Sequence, residues 1–161
     1  MTMTHCIDVA RSVPRTLALA LLATALLGCS GRTELFPNSD PALRKSPAQF
    51  AADAARRFPY PSDLAPGSEN TAAAQVDYGL DELHVRNLTG TQLEDVEIWV
   101  NREYVVYLPV FEPTVAKIIN FRMLFNEAGE HFPLDNNDVR MVQLELVHDG
   151  KLHPVVLRLR D

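Results

Sequence analysis

The sequence predicts a mainly β protein: a small antiparallel β-sandwich of about six to seven strands, preceded by a signal peptide, a tether and one short amphipathic helix. Three observations carry this expectation. From Ala74 onward the chain runs in short alternating stretches rich in Val, Ile, Leu and aromatics, broken by turn residues. Asp149-Gly150 stands between two such stretches as a two-residue hairpin signal. Before Ala74 the chain has another character: an apolar block, then Pro- and Ser-punctuated stretches around one Ala-rich segment.

The apolar block runs from Leu17 to Leu27, with Arg11 and Arg15 ahead of it and the small residue Gly28 behind it. That is the charged, apolar, small-residue order of a secretory signal. A membrane-spanning helix needs roughly 20 apolar residues, so this block is too short to be one. Leu26-Leu27-Gly28-Cys29 resembles the lipobox of bacterial lipoproteins. The resemblance implies that residues 1–28 are removed, that the Cys29 sulfur receives a diacylglycerol, and that the new amino terminus is acylated with a chain such as palmitate. It also implies a location: with Ser30 rather than Asp after the cysteine, the outer membrane, facing the periplasm. The implied partner is the lipid bilayer, through acylated Cys29. Several acyl chains anchor stably because each buried CH2 contributes about 0.8 kcal/mol. An ordinary signal peptide with a chance cysteine is the alternative.

Removing 28 of the 161 residues leaves 133, enough for one domain. The two cysteines are Cys6, in the removed peptide, and Cys29, so the mature chain is expected to hold no disulfide and no thiol chemistry. The net charge is −6, and loss of Arg11, Arg15 and Asp8 makes it one unit more negative. There is no basic tract to neutralise phosphates, which argues against a nucleic-acid partner.

Residues 29–45 read as the lipidated cysteine and a flexible tether, the sixteen residues from Ser30 to Lys45 carrying two prolines and no periodicity. Fully extended, this tether would reach about 50 Å. Ser46 to Phe58 reads as a short helix: Ser46 as N-cap, Pro47 at the first helical position, Gln49 completing a capping box. Phe50, Ala54 and Phe58 fall on one face, and Arg56 and Arg57 suit the last turn. Residues 59–73 read as a loop and residues 74–161 as the sandwich. Its strands are expected near Ala74 to Tyr78, Leu83 to Asn87, Val96 to Asn101, Tyr104 to Val110, Val115 to Phe121, Val139 to His148 and Lys151 to Arg160.

Two hairpins can be given a register. Around Asp149-Gly150, His148 faces Lys151 and Leu146 faces His153, and the pairing continues to Leu144 with Val155 and Val142 with Leu157. Val142, Leu144, Leu146, Val155, Leu157 and Leu159 then share one face, and Gln143, Glu145, Arg158 and Arg160 the other. If Arg102-Glu103 forms the other turn, Val96, Ile98 and Val100 share a core face with Val105 and Tyr107. The opposite face then carries Glu97, Trp99, Asn101, Tyr104, Val106 and Leu108, too apolar to face water uncovered. Phe121, Leu124, Phe125 and Phe132 can plug one end of the core, and Asp135 to Asp138 reads as a turn.

The run Leu83 to Tyr104, a strand ending in Asn, a Thr-Gly turn and a second alternating strand ending in Asn, is similar to the early strands of immunoglobulin-like or fibronectin type III-like envelope modules. The resemblance implies a sandwich and no activity.

Candidate chemistry is sparse. His148 and His153 lie diagonally on the hairpin, but zinc needs three or four ligands and no third is evident. Asp135 to Asp138 lack the alternating ligands, glycine and terminal Glu of a calcium loop. Ser39, Ser46, Ser62 and Ser68 lie in tether, cap or loops, none in a nucleophile elbow. Glu127 and Glu130 flank a turn, and Asn87-Leu88-Thr89 matches a glycosylation sequon that also reads as a turn. No catalytic residue, metal site or cofactor is expected. Trp99, the only tryptophan, heads a possible binding face with Tyr104, Val106 and Leu108, unless the helix packs over it. The expected function is a membrane-anchored, non-enzymatic binding or scaffolding lipoprotein, with an envelope protein as a possible partner. The alternatives are a small-ligand or glycan binder using the Trp99/Tyr104 face, and a hydrolase whose site the sequence hides.

Overall fold

The computed structural model describes residues 40–134 and 139–159. The expected signal peptide, Cys29, the expected tether up to Ser39, the expected turn at Asp135–Asp138 and Arg160 lie outside the described residues.

The chain forms the mainly β fold expected: eight strands in one mixed sheet, curled nearly closed, with one short α-helix. The helix α1 is Pro47–Ala55. The strands are β1 Ala65–Pro66, β2 Ala72–Asp77, β3 Glu82–Asn87, β4 Leu93–Val100, β5 Tyr104–Phe111, β6 Lys117–Asn120, β7 Leu144–His148 and β8 Lys151–Leu159. Their spatial order is β5-β4-β7-β8-β2-β3-β6, with β1 beside β8.

The long strand β8 gives the sheet its sandwich-like halves. Its first residues, through Pro154, pair antiparallel with β7, as Glu145↔Pro154, Leu146↔His153, Val147↔Leu152 and His148↔Lys151. From Val155 onward it pairs parallel with β2, starting at Ala72↔Val155. The changeover falls at Pro154, which has no N–H to give to a ladder. The Asp149-Gly150 register is the one the turn chemistry predicts, but it stops at Glu145. Leu144 pairs across to Val100 rather than with Val155, and Val142 lies outside any strand, 78% exposed. The expected strand from Val139 begins only at Leu144 because Asn101 occupies the preceding backbone. Its Oδ1 accepts from Val142 N–H (2.9 Å) and Gln143 N–H (3.2 Å), and its Nδ2 donates to the Arg140 carbonyl (2.7 Å).

The parallel partner of β8 is itself interrupted. β1 pairs Ala65↔Lys151 and Pro66↔Leu152, then the chain steps away and rejoins as β2. Residues expected as loop, 59–73, thus contain β1 and the start of β2. His153 fills the gap. Its Nδ1 accepts from the Ser68 backbone N–H (2.9 Å), and its ring lies so close to Gly67 that a Cβ there would fall 2.2 Å from it.

The β4–β5 hairpin corrects the register read from sequence. Its turn has three residues, Asn101 to Glu103, with Asn101 (φ 52°) and Arg102 (φ 61°) both left-handed. Val100 therefore faces Tyr104, Ile98 faces Val106 and Val96 faces Leu108, while Trp99 faces Val105 and Glu97 faces Tyr107. One step of slip exchanges the two faces of β5. Tyr104, Val106 and Leu108 join the core, and Val105 and Tyr107 join Trp99.

α1 starts as predicted. Gln49 N–H donates to Ser46 Oγ, and Gln49 Oε1 accepts from Ser46 N–H (2.8 Å). It ends at Ala55, short of Phe58. With Phe50 and Ala54 buried, it packs against β5 and against the 3₁₀ turn Phe121–Met123 that follows β6. It lies across the seam between the two ends of the strand order. Phe121, Leu124, Phe125 and Phe132 are buried there as expected, Phe132 meeting Phe121 and Tyr104 edge-on at 5.1 and 5.0 Å. The end of the expected tether is docked rather than free: Leu43 is buried in the 3₁₀ turn Pro41–Arg44, and Lys117 Nζ donates to Asp40.

Gly67→Ala is expected to destabilise the fold by about 1–3 kcal/mol, the range for forced overpacking. Adding His153→Ala should recover part of that loss, giving a double mutant less destabilised than the sum of the singles. Thermal unfolding followed by circular dichroism reads both.

Candidate functional site

The outer surface of the sheet has two parts, and the structure treats them differently. Over β5-β4-β7 the chain covers itself. Phe58 and Tyr60 stand edge-on against the Trp99 ring at 5.1 and 5.3 Å between centroids. The Arg57 guanidinium lies 3.8 Å from the Tyr107 ring centroid. Two carboxylates on this face clasp the covering segment. Glu145 accepts from the Tyr60 hydroxyl (2.6 Å) and from Arg102 Nε (3.2 Å). Glu97 accepts from Trp99 Nε1 (3.1 Å) and Arg57 Nη1 (3.2 Å).

The expected binding face is consequently interior. Trp99 and Leu108 are 0% exposed, Val106 is 2% and Tyr104 is 7%, so none offers a surface to a ligand. Nor do the four share a face: Trp99 points outward under Phe58 and Tyr60, and the other three point into the core. The segment just after α1, not the helix itself, covers Trp99. Cys29 lies outside the described residues.

The ionisable groups of this region hold structure together. Burial, helped by the Glu145 hydrogen bond, pushes the Tyr60 phenol up to about 12. Burial alone would raise the Asp53 carboxyl. Its bonds from Lys45 Nζ (2.5 Å) and from Arg56 outweigh that and leave it below the ordinary aspartate range. Asp40 is lowered in the same way by Lys117, against its own burial. The hydrogen bond to Asp95 raises Tyr107. Of the serines, Ser46 caps α1, and the Ser68 hydroxyl accepts from Asn70 N–H (3.2 Å) while its backbone, not its hydroxyl, donates to His153. Asn87 of the sequon is buried. Its Nδ2 donates to the carbonyls of Thr91 (2.7 Å) and Phe111 (2.8 Å), which assigns it to the turn. Among the described residues no group of three or more His, Cys, Asp or Glu is placed to hold a metal ion, and no helix is long and apolar enough to cross a membrane.

Over β8-β2-β3 the outer face is open. The inward residues Ala72, Ala74, Val76, Leu83 and Val85 are buried, and their alternates Gln75, Arg86, Val156 and Arg158 are exposed. A groove of about 410 Å³ lies on this face, bordered by Ala73, Gln75, His84, Arg86, Leu88 and Arg158. Its lining brings together two guanidiniums, an imidazole and an amide. Another opening, of about 520 Å³, lies between Phe58-Tyr60 and Arg102-Glu103, beside the clasp over Trp99. The sequence showed the Arg158 face as the polar side of the last hairpin. It contained no local sign that β2 and β3 would lie beside it, because the β2–β8 pairing is parallel and joins residues far apart in the chain.

No family model, curated protein or solved structure matches this chain.

Trp99 is expected to emit at short wavelength and to resist iodide quenching in the folded chain. Trp99→Ala should cost about 3–5 kcal/mol, as for other large buried aromatics. The Tyr60 shift gives a pH prediction. Its folded value lies above the ordinary tyrosine value, so its interaction with Glu145 is fully present below pH 10 and is lost as pH rises toward 12. Unfolding midpoints measured across that alkaline window should fall, and Tyr60→Phe should flatten the dependence.

Proposed function

We propose that this chain is a lipid-anchored protein of the bacterial envelope, acylated at Cys29, held at the outer membrane and facing the periplasm. In this reading the β domain is a non-enzymatic binding or scaffolding module, an accessory subunit serving a larger envelope complex. The observation that carries it is the sequence Leu26-Leu27-Gly28-Cys29 at the end of a signal-like apolar block, directly ahead of a β domain.

The fold supports it in two respects. Asp40 is already tied to Lys117 on the sheet, so only eleven residue steps separate it from Cys29. At ~3.5 Å per step the span is at most about 40 Å, shorter than a free tether to Lys45 would allow. The buried Glu145 and the half-buried Glu97 and Asp40 are committed to ion pairs and hydrogen bonds that pin chain segments, which suits a module presenting a surface. The Trp99 face plays no part in this reading, because it is covered.

Cys29→Ser is the deciding variant. The wild-type chain is expected in the membrane fraction and to take up labelled palmitate. The Cys29→Ser chain should lose the label and move to the soluble fraction. Retention in washed membranes without label would refute the lipid anchor.

A further inference from the structure

We propose that the groove over Ala73 is a binding site for an oxyanion group, a phosphate or a carboxylate, carried on a small molecule with an apolar part. The proposal names a ligand for the binding module described above and rests on that reading of the domain. It does not depend on the lipid anchor.

Three adjacent strands build the site. Ala73 on β2 is level with Arg86 on β3 and Val156 on β8, and Gln75 is level with His84 and Arg158. All six point to the outer side, opposite the buried alternates. A methyl group in the middle row, between longer side chains, leaves the floor low, and the groove of about 410 Å³ follows from that difference in length. This size falls within the roughly 300–1,000 Å³ of small-molecule sites.

This face carries two arginines on a chain that is acidic overall. The chain is acidic, at −6, and Lys45, Arg56, Arg57, Arg102 and Lys117 each meet a carboxylate. Arg86 and Arg158 border the groove from opposite sides of β2, and among the described residues neither has a carboxylate partner. Two guanidiniums beside one concavity repel each other until an anion lies between them. Their forked donors match the paired oxygens of phosphate and carboxylate. His84 is held at the same rim by Glu82, Nε2 to Oε2 at 2.9 Å, and Gln75 adds an amide. The other end is apolar: Leu88 is a large hydrophobic residue left 47% exposed at the groove, with Ala116 nearby. Cationic residues with an apolar end describe a ligand with an anionic head and a short hydrocarbon body.

The test uses the full chain carrying Cys29→Ser, titrated with octyl phosphate and with inorganic phosphate and followed by amide chemical shifts. Octyl phosphate should saturate, with shifts confined to β2, β3 and β8, and should bind more tightly than inorganic phosphate. Arg86→Ala and Arg158→Ala should each weaken binding by about tenfold, the size expected for one charge-assisted contact. Arg122→Ala, on the exposed turn after β6, should leave it unchanged. Ala73→Leu, which fills the floor and keeps every charge, should abolish binding. If that variant does not fold, the arginine variants decide alone. Flotation with phosphatidylglycerol vesicles separates the sources of the anion. Arg86-dependent flotation identifies a lipid headgroup, and saturation by octyl phosphate without flotation identifies a free ligand. Absence of arginine-dependent binding to any of these probes overturns the site. Cys29-dependent membrane retention would stand in that case, so the two failures are read apart.

Discussion

β8 must satisfy a ladder on both of its edges, and it is the strand at which the two halves of the sheet meet. One edge takes β7, the other takes β1 and then β2. Pro154 ends the first ladder, and His153 satisfies the backbone where the second is broken. A strand that leaves one set of neighbours for another turns the sheet, and this turn encloses the core. α1 and the Phe121–Met123 turn can then close the remaining seam because β5 and β6 have been brought around to face it. A defect at the Gly67–His153 contact therefore acts on both halves at once.

The same enclosure sorts the charged residues. Where the outer face is apolar, at Trp99 and Val105, the chain folds back over it, and Glu145 and Glu97 hold the cover by charge-assisted hydrogen bonds. Carboxylates so placed must stay paired, since an unpartnered buried charge is costly. Where the outer face is already polar, over β2, none of the described residues is folded onto it. The result is one face closed by its own chemistry and one face free to meet something else. The free face carries Arg86 and Arg158, which among the described residues have no acid partner.

Much of the local structure was legible before any coordinates. The Ser46–Gln49 capping box, the Asp149-Gly150 hairpin register as far as Glu145 and the aromatic plug after β6 each depend on neighbours in the chain, and each is where the residues put it. The β4–β5 register was not, because Asn101 can enter the left-handed region and lengthen the turn by one residue. That signal was present in the sequence: Asn at the head of a turn tolerates positive φ. The slip moved Tyr104, Val106 and Leu108 into the core and dissolved the binding face they seemed to form with Trp99.

The sequence by itself determined the secondary structure class, the helix start and the closing hairpin, because these rest on short-range periodicity, capping and turn chemistry. The tertiary structure decided which faces are open. Parallel pairing of β2 with β8 joins residues separated by most of the domain, and no local preference encodes it. Only that pairing brings Arg158 of β8 and Arg86 of β3 to the two sides of Ala73 and Gln75 on β2, and the return of Phe58 and Tyr60 covers Trp99. Exposure is a property of what lies above a residue, and what lies above it comes from elsewhere in the chain.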